Sequence, residues 1–527
     1  MGLDTLKLEA DVLVIGGGLA ATWAALGAAR AGASVVLADK GWCGTSGVTA
    51  SAGPGHWWVP PEGHDEAIAR RLQASGGLNE AEWMRRVLEA TWEHLPSLAP
   101  HYPFPRDERG QLLLRSLRGP EYLRLMRRLV EQAGVRILDH SPALELLQHA
   151  DGSIAGAAGV RRQTHLQQPW TVRSGATVLA TGGCAFLSWL LGAHNNTGDG
   201  YLMAAEAGAE LSGMEFTNYY TVAPAFSSMT RSMSYVFARY FDADGHELPI
   251  LPGPDADYRL ARAMLRGPVL CSLDRMPQDL RDKLPQISPN VLLPFARRGI
   301  DPFRDRFEVK LRGEGTVRGI GGLRIASEEC ETTVGGLYAA GDAATRELVA
   351  GAISGGGAVN SAWALSSGLW AGRGAARRAR RDGRRAGEAA RAIGQAGLRA
   401  RRRAAAIDTA EVIRHVQRPM LDYDLNIFRE ETALAASQQQ MDGLWEEWRD
   451  HAQATGPAAV RSREVAAMLA TARWNLASAR VRRESRGMHH RSDAPQADPA
   501  QAHRLLSGGL DAVWTRADRP WRARAAA

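Results

Sequence analysis

A strand that runs straight into glycine, Asp11-Val-Leu-Val-Ile-Gly16-Gly-Gly18-Leu-Ala-Ala21, restricts this chain more than any other segment. Asp11 to Ile15 is a short apolar run of the buried parallel-strand type. Gly16 permits the tight turn, Gly18 lets the backbone approach a pyrophosphate, and the small Ala21 lets the next helix pack against the strand. That helix is predicted from about Gly18 to Arg30, with its N-terminal amides facing the phosphates. Gly32 closes it and Ser34 to Asp39 gives a second strand. Asp39, with Lys40 beside it, follows the turn by about twenty residues, where a carboxylate can hold ribose hydroxyls. An ordinary strand–turn–helix with a spare aspartate would not need strand, helix and acid in register.

A second glycine-rich segment, Gly335-Gly-Leu-Tyr-Ala-Ala-Gly341-Asp342, follows about 320 residues later. It puts an aspartate at the end of an apolar strand, where FAD enzymes hold the ribityl chain. Gly351-Ala-Ile-Ser-Gly355-Gly-Gly357-Ala-Val-Asn360-Ser361 then opens a helix predicted from Ala362 to Arg373. Such a loop offers bare amides and a positive dipole to the pyrimidine edge of a flavin. The two halves together point to FAD and a redox flavoenzyme.

Further segments carry a family pattern. Gly44-Thr-Ser46-Gly47-Val-Thr49-Ala-Ser-Ala-Gly53 is similar to a flavin-contacting stretch, and the run from Val135 through Ala143 to Leu147 to a strand that contacts adenine. Ala180-Thr181-Gly182-Gly183 matches a return to the cofactor, and Asn196-Thr-Gly-Asp199-Gly200 a signature near it. Arg483-Glu-Ser-Arg-Gly487-Met-His489-His-Arg-Ser-Asp493 matches a motif of a C-terminal helical domain. Over nearly its whole length the chain resembles the fumarate reductase/succinate dehydrogenase flavoprotein superfamily, which includes L-aspartate oxidase and the adenylylsulfate reductase flavoprotein.

The resemblance implies FAD, and the departures from it shape the rest. Covalent members carry a histidine where Gly47 and Val48 stand, which implies non-covalent FAD. The dicarboxylate enzymes carry His-Tyr-x-Met-Gly-Gly where this chain reads Val317-Arg318-Gly-Ile-Gly-Gly322. Their late-loop arginine is replaced around Ile353 and Ser354, and their proton-delivering Arg-Gly-Glu-Gly-Gly run aligns with Ser234 to Arg239. Two carboxylates need several cations, so succinate and fumarate are poor candidates. The cap segments from Met214 to Tyr220 and from Tyr235 onward look most like the adenylylsulfate reductase branch, without its arginines. His56-Trp57-Trp58 and Tyr219-Tyr220 either converge on the flavin as an aromatic pocket or pack in cores. Arg231, Tyr235 and Arg239 are the nearest cap candidates for proton delivery or carboxylate binding. The catalytic candidates are therefore Arg231, Tyr235, Arg239, His56 and Tyr219.

The fold class expected is α/β: a doubly wound, Rossmann-like FAD domain from residues 1–213 and 319–395, with an inserted α+β cap at 214–318. A C-terminal helical domain at 404–527 would use the patterns at Val412–Val416, Leu434–Trp448 and Val465–Val481, with a polar tail after Ala494 on the surface. Irregular chain is expected at Leu248–Pro254 and Leu284–Pro294. Cys43, Cys184, Cys271 and Cys330 are too scattered for a metal or iron–sulfur site. Free thiols, a start without signal-peptide character and the lack of an eighteen-residue apolar run predict a cytoplasmic protein without a membrane span.

Much of the net charge of +7 comes from twelve arginines between Arg373 and Arg403. No aromatic residue accompanies them as a stacking platform, and alanine and arginine both favour helix. A solvated helix meeting an acidic electron carrier fits better than a nucleic-acid surface. The leading function is hydride transfer between flavin N5 and a small organic molecule. The alternatives are a subunit serving a separate iron–sulfur protein, an amine or amino-acid oxidase, and a nucleic-acid-binding flavoprotein.

Overall fold

The computed structural model describes residues 4–114, 117–163, 168–230, 234–253, 255–287, 289–383, 385 and 387–518. Strand β1 (Leu6–Ile15) stops at Gly16, which has a φ of +124°. A Cβ there would lie 2.2 Å from the carbonyl oxygen of Ala180, so only glycine fits. Helix α1 (Leu19–Arg30) and strand β2 (Val35–Ala38) follow. Helices α2 (His64–Ala74), α3 (Ala81–His94) and α4 (Gly119–Gln132) then lead to β3 (Arg136–Leu138), β4 (Ala143–His149), β5 (Ile154–Val160), β6 (Pro169–Leu179) and α5 (Asp199–Glu206).

The chain next builds β7 (Leu211–Ser212), β8 (Tyr220–Pro224), β9 (Arg239–Phe241), β10 (Glu247–Leu248), α6 (Ala256–Met264), β11 (Val269–Ser272), α7 (Gln278–Ile287), α8 (Pro289–Ala296) and β12 (Phe307–Gly313). It returns through β13 (Gly322–Leu323), β14 (Leu337–Ala339), α9 (Glu347–Ala350), α10 (Gly356–Asp382) and β15 (Ala390–Ala392). The last part is α11 (Thr409–Leu421), α12 (Tyr423–Asn426), α13 (Glu431–His451), α14 (Pro457–Val481), β16 (Leu505–Gly508) and β17 (Trp514–Ala517).

The main sheet runs β15-β4-β5-β6-β1-β2-β3, with β14 also on β6. Pairings among β3, β2, β1, β6 and β14 are parallel, and β5, β4 and β15 extend the sheet antiparallel. The parallel strands are covered on both faces and accordingly carry unbroken apolar runs such as Val12–Ile15. Helices α1 and α10 cross backbone to backbone: a Cβ at Gly372 would lie 2.1 Å from the Ala24 oxygen, and one at Gly368 2.6 Å from that of Ala20. The cap has its own antiparallel sheet, β10-β9-β11-β12-β8, around Val222, Phe295, Phe307 and Val309. A third sheet, β13-β7-β16-β17, joins the base of the cap to the end of the chain.

Several expectations change. The run from Val135 to Leu147 is two strands, β3 and β4, on different parts of the sheet. Residues around Leu284–Pro294 form two short helices, α7 and α8, despite Pro285 and Pro294. The arginine-rich stretch is helical only to Asp382, because Gly383 takes φ +69° and β15 then pairs with β4. Its charge is largely matched: Arg377 pairs with Glu329, Arg378 with Glu331, Arg399 with Glu145 and Arg401 with Asp511. That leaves little field for a phosphate backbone. Within the tail expected on the surface, β16 is instead buried and pairs with β7, whereas β17 stays largely exposed.

Candidate cofactor and substrate site

The two glycine segments meet at the ends of β1 and β14 and open a cleft of about 530 Å³, a size usual for ligand sites. Every cofactor candidate read from the sequence except Ala21 lines it: Gly16, Gly18, Asp39, Lys40, Ser46, Gly47, Thr49, Gly53, Ala143, Ala180, Thr181, Gly182, Asp199, Gly341, Asp342, Asn360 and Ser361. Ala21 lies wholly buried within α1, on the packing side.

The cleft is shaped for a dinucleotide with a flavin. A Cβ at Gly17 would sit 2.2 Å from Asp39 Oδ2, so the first turn closes on the acid only because it lacks a side chain. Helix α1 begins without a side-chain cap, and at α10 Ser354 Oγ takes only the Gly356 amide at 3.3 Å, so most of the first amides are left for an anionic or carbonyl partner. A Cβ at Gly356 or Gly357 would meet nothing within 4 Å, so α10 starts against open space. Asn360 Oδ1 is buried there without a partner. These bare amides and the orphaned amide oxygen suit phosphate oxygens and a flavin edge.

Asp39 accepts a 2.5 Å hydrogen bond from Ser46 Oγ, and burial raises its pKa against that bond. Lys40 is held by two carboxylates at the cleft wall. Its Nζ reaches Asp199 Oδ2 at 2.9 Å and Glu464 Oε1, on α14, at 2.6 Å. Burial alone would lower its pKa, but the two carboxylates outweigh that and raise it. Lys40 and Asp199 thus tie the cleft wall to the C-terminal helices.

The catalytic candidates scatter. Arg231 lies outside the described residues. His56, Tyr235 and Arg239 do not line the cleft. His56 packs edge-on to Tyr122 with ring centroids 5.6 Å apart, and burial drives its pKa down to about 3. Trp58 stacks on Trp92 at 4.2 Å, and Tyr220 is buried with its hydroxyl on the Leu421 carbonyl oxygen. His56 and Tyr220 are therefore buried in packing and Trp58 stacks partly buried on Trp92, so the two aromatic runs do not converge on the cleft. Tyr235 packs against the cap core, and burial pushes its hydroxyl pKa well above the ordinary value. Arg239 is matched by Glu247 and Asp274 on the outer side of the cap. An apolar or salt-bridged setting at these positions cannot be told from a pocket by residue type alone. Tyr219 stays near the site, under the guanidinium of Arg318 at 5.8 Å from its ring centroid.

At the cap end the cleft is lined by Met229, Thr230, Glu314, Val317, Arg318 and Asp342. Arg318 Nε lies 3.3 Å from Glu314 Oε2, and Thr221 Oγ1 donates to the other oxygen of Glu314. Burial raises the pKa of Glu314, with Arg318 opposing. Glu314 in turn raises that of Arg318 against burial. Asp342 pairs with Arg346, which also donates to the carbonyl oxygens of Thr316 and Val317, each at 3.0 Å, and of Gly319. One buried guanidinium thus fixes the segment carrying Arg318 to the aspartate at the end of β14. Sequence reasoning read Arg318 only as a departure, although Glu314–Arg318 and Asp342–Arg346 share the four-residue spacing of helical ion pairs.

The late glycine loop is braced from two sides. Arg71 donates to the oxygens of Ala350, Ile353 and Ser354. From the C-terminal motif, Met488 N donates to Ala352 O at 3.0 Å, and Gly487 comes so close that a Cβ would lie 2.1 Å from that oxygen. His489 accepts from Arg429 at Nδ1 and donates from Nε2 to the Arg482 carbonyl, a neutral tautomer enforced by burial. The Arg483–Asp493 motif therefore props the cofactor loop.

Residues 11–232 match the family model for a FAD binding domain, and residues 414–527 that for the fumarate reductase flavoprotein C-terminus. An L-aspartate oxidase of Streptomyces coelicolor is 28% identical over 93% of this chain and 90% of its own length. A fumarate reductase (CoM/CoB) subunit of Methanothermobacter marburgensis is 25% identical over 96% of this chain and 98% of its own. E. coli quinol fumarate reductase FrdA superposes with a TM-score of 0.81 over 97% of both chains at 20% identity. The adenylylsulfate reductase of Archaeoglobus fulgidus gives 0.74 over 98% of this chain and 96% of that one, at 16% identity. The fold as a whole superposes better on the fumarate reductase, although the cap sequence points to the other branch.

Proposed function

Starting from a chain that belongs to the FAD-dependent oxidoreductases of the succinate dehydrogenase/fumarate reductase family, we propose that it moves a hydride between flavin N5 and a small organic molecule that is neither succinate nor fumarate. FAD, when bound, supplies the two-electron chemistry. Gly16, Gly18 and the first turns of α1 and α10 would take its phosphates and flavin edge, Asp39 its ribose and Asp342 its ribityl chain. Gly47 and Val48 at the covalent-attachment position support non-covalent binding.

One observation carries the substrate reading. At the cap end of the cleft the cation among the described residues is Arg318, already paired with Glu314. A dicarboxylate needs more positive charge than that. The test is to acid-precipitate the purified protein, identify the released flavin, photoreduce the holoprotein anaerobically and time its reoxidation by oxygen. Released FAD, slow reoxidation over minutes and no turnover of succinate or fumarate are expected. Reoxidation within about a second would mark an oxidase, and brisk fumarate reduction would overturn the reading.

A second reading has its own support, since one full-length relative is a named reductase subunit. The four cysteines here are free, buried and far apart in sequence, so electrons passed to an iron–sulfur centre would leave for a separate carrier protein. Copurification of such a chain tests it. A reducing, cytoplasmic setting belongs to the same proposal and rests on those free thiols.

A further inference from the structure

We infer that Glu314 and Arg318 form a matched pair that admits a substrate carrying one carboxylate and turns away a substrate carrying two. The inference rests on the hydride-transfer reading above and names the substrate class of that site.

The argument is a charge balance. Among the described residues, the lysines and arginines lining the cleft are Lys40, Arg162 and Arg318. Lys40 is neutralised by Asp199 and Glu464. Arg162 sits at the Asp39 end: its backbone N–H binds the His140 oxygen, and His140 N–H binds Gly41. Arg318 alone faces the cap end, over Tyr219 and beside Glu314. A guanidinium has five N–H donors in a fork that fits a carboxylate. Glu314 and Tyr219 engage only part of that fork.

With Glu314 ionised, the cap end sums to zero, because Glu314 cancels Arg318 and Asp342 cancels Arg346. A bound carboxylate adds one negative charge to a buried site. One proton taken up by Glu314 restores balance, and Thr221 keeps its carboxyl hydrogen-bonded. The groups facing Glu314 are Arg318, Asp342, Tyr219 and Thr221, and its burial already favours the protonated form. Among the described residues a second carboxylate would find no further cation, and the other buried acid at the cap end, Asp342, is held by Arg346, so that protonating it would break that pair.

Crotonate and fumarate test this, since they differ by a methyl in place of the second carboxylate. Each is titrated into the FAD-loaded protein, and binding is followed as perturbation of the flavin absorbance band. Crotonate should bind at least about tenfold more tightly than fumarate, and its affinity should fall as the pH is raised. R318M should lose crotonate binding while keeping its flavin, and R318K, which keeps charge without the fork, should retain part of it. E314Q should bind crotonate with no pH dependence.

Fumarate binding as tightly as crotonate, R318M and R318K both binding crotonate like the parent, or neither acid perturbing a flavin that is present would overturn the inference. A protein that holds no flavin would instead sink the hydride-transfer reading itself.

Discussion

Arg346 offers the sharpest test of how the site is held together. Its side chain is 1% exposed, pairs with Asp342 and donates to three carbonyl oxygens on the segment from Thr316 to Gly319. Replacing it with methionine roughly preserves volume, so the packing loss alone should stay under about 1.5 kcal/mol. The electrostatic loss is larger. Removing one partner of a buried ion pair costs about 3–5 kcal/mol, and the Asp342 carboxylate left behind keeps only the field of Arg318. R346M should therefore be destabilised by about 4 kcal/mol, a large part of the roughly 5–15 kcal/mol that holds a domain folded. D342N keeps an acceptor for Arg346, and the guanidinium retains its carbonyl bonds, so about 1–3 kcal/mol is expected. The double variant removes both charges and should be more stable than the sum of the single losses predicts. Urea unfolding of the flavin-free protein, followed by tryptophan fluorescence, measures all three. R346M within about 0.5 kcal/mol of the parent, or strict additivity in the cycle, would refute the reasoning.

Other outcomes follow from the same structure. Glu347 is buried among Ser212 and Glu215, and burial with Glu215 pushes its carboxyl up to about 8. Its folded pKa is raised, so the stability it contributes is full below the unfolded value near 4.5 and is lost as pH rises toward 8. E347Q should accordingly melt higher than the parent near pH 8 and no higher near pH 5. His56 is the opposite case, held neutral with its pKa lowered to about 3 by burial. Stability is full above about pH 6.5 and falls below it, by about 2 kcal/mol at pH 5 from this residue alone. H56N should flatten that acid limb in a urea-midpoint series. At Gly372, alanine would gain about 1 kcal/mol in helix propensity, but its Cβ would lie 2.1 Å from the Ala24 oxygen, which belongs to backbone and cannot step aside. G372A should lower the melting temperature, and an unchanged or higher value would contradict the close crossing of α1 and α10.

The cofactor half of the site was legible because glycine and strand periodicity report directly on backbone geometry. Gly16 at φ +124° and the turn closing on Asp39 through Gly17 are consequences of missing side chains, and a missing side chain is visible in a sequence. The substrate half was not, because side-chain roles there depend on what the fold brings near. Arg239 and Tyr235 lie in the cap as expected, yet one meets Glu247 and Asp274 and the other a hydrophobic core. His56 follows the flavin stretch but turns toward Tyr122. Arg71, which grips the glycine loop, comes from a helix with no motif of its own. The arginine run read as a solvated helix because its acids, such as Glu145 and Asp511, lie more than a hundred residues away.

The bracing of the glycine loop has a consequence in time. Ala352 is locked by Gly487 and Met488, Lys40 is anchored by Glu464, and β7, already paired with β13, gains its second partner only when β16 is made. A growing chain thus presents its first glycine turn early, while the braces of the opposite wall wait until Gly487, Met488 and β16 have been made. A chain stopped before Gly487 would carry both glycine segments and still have no closed site in which to keep the cofactor.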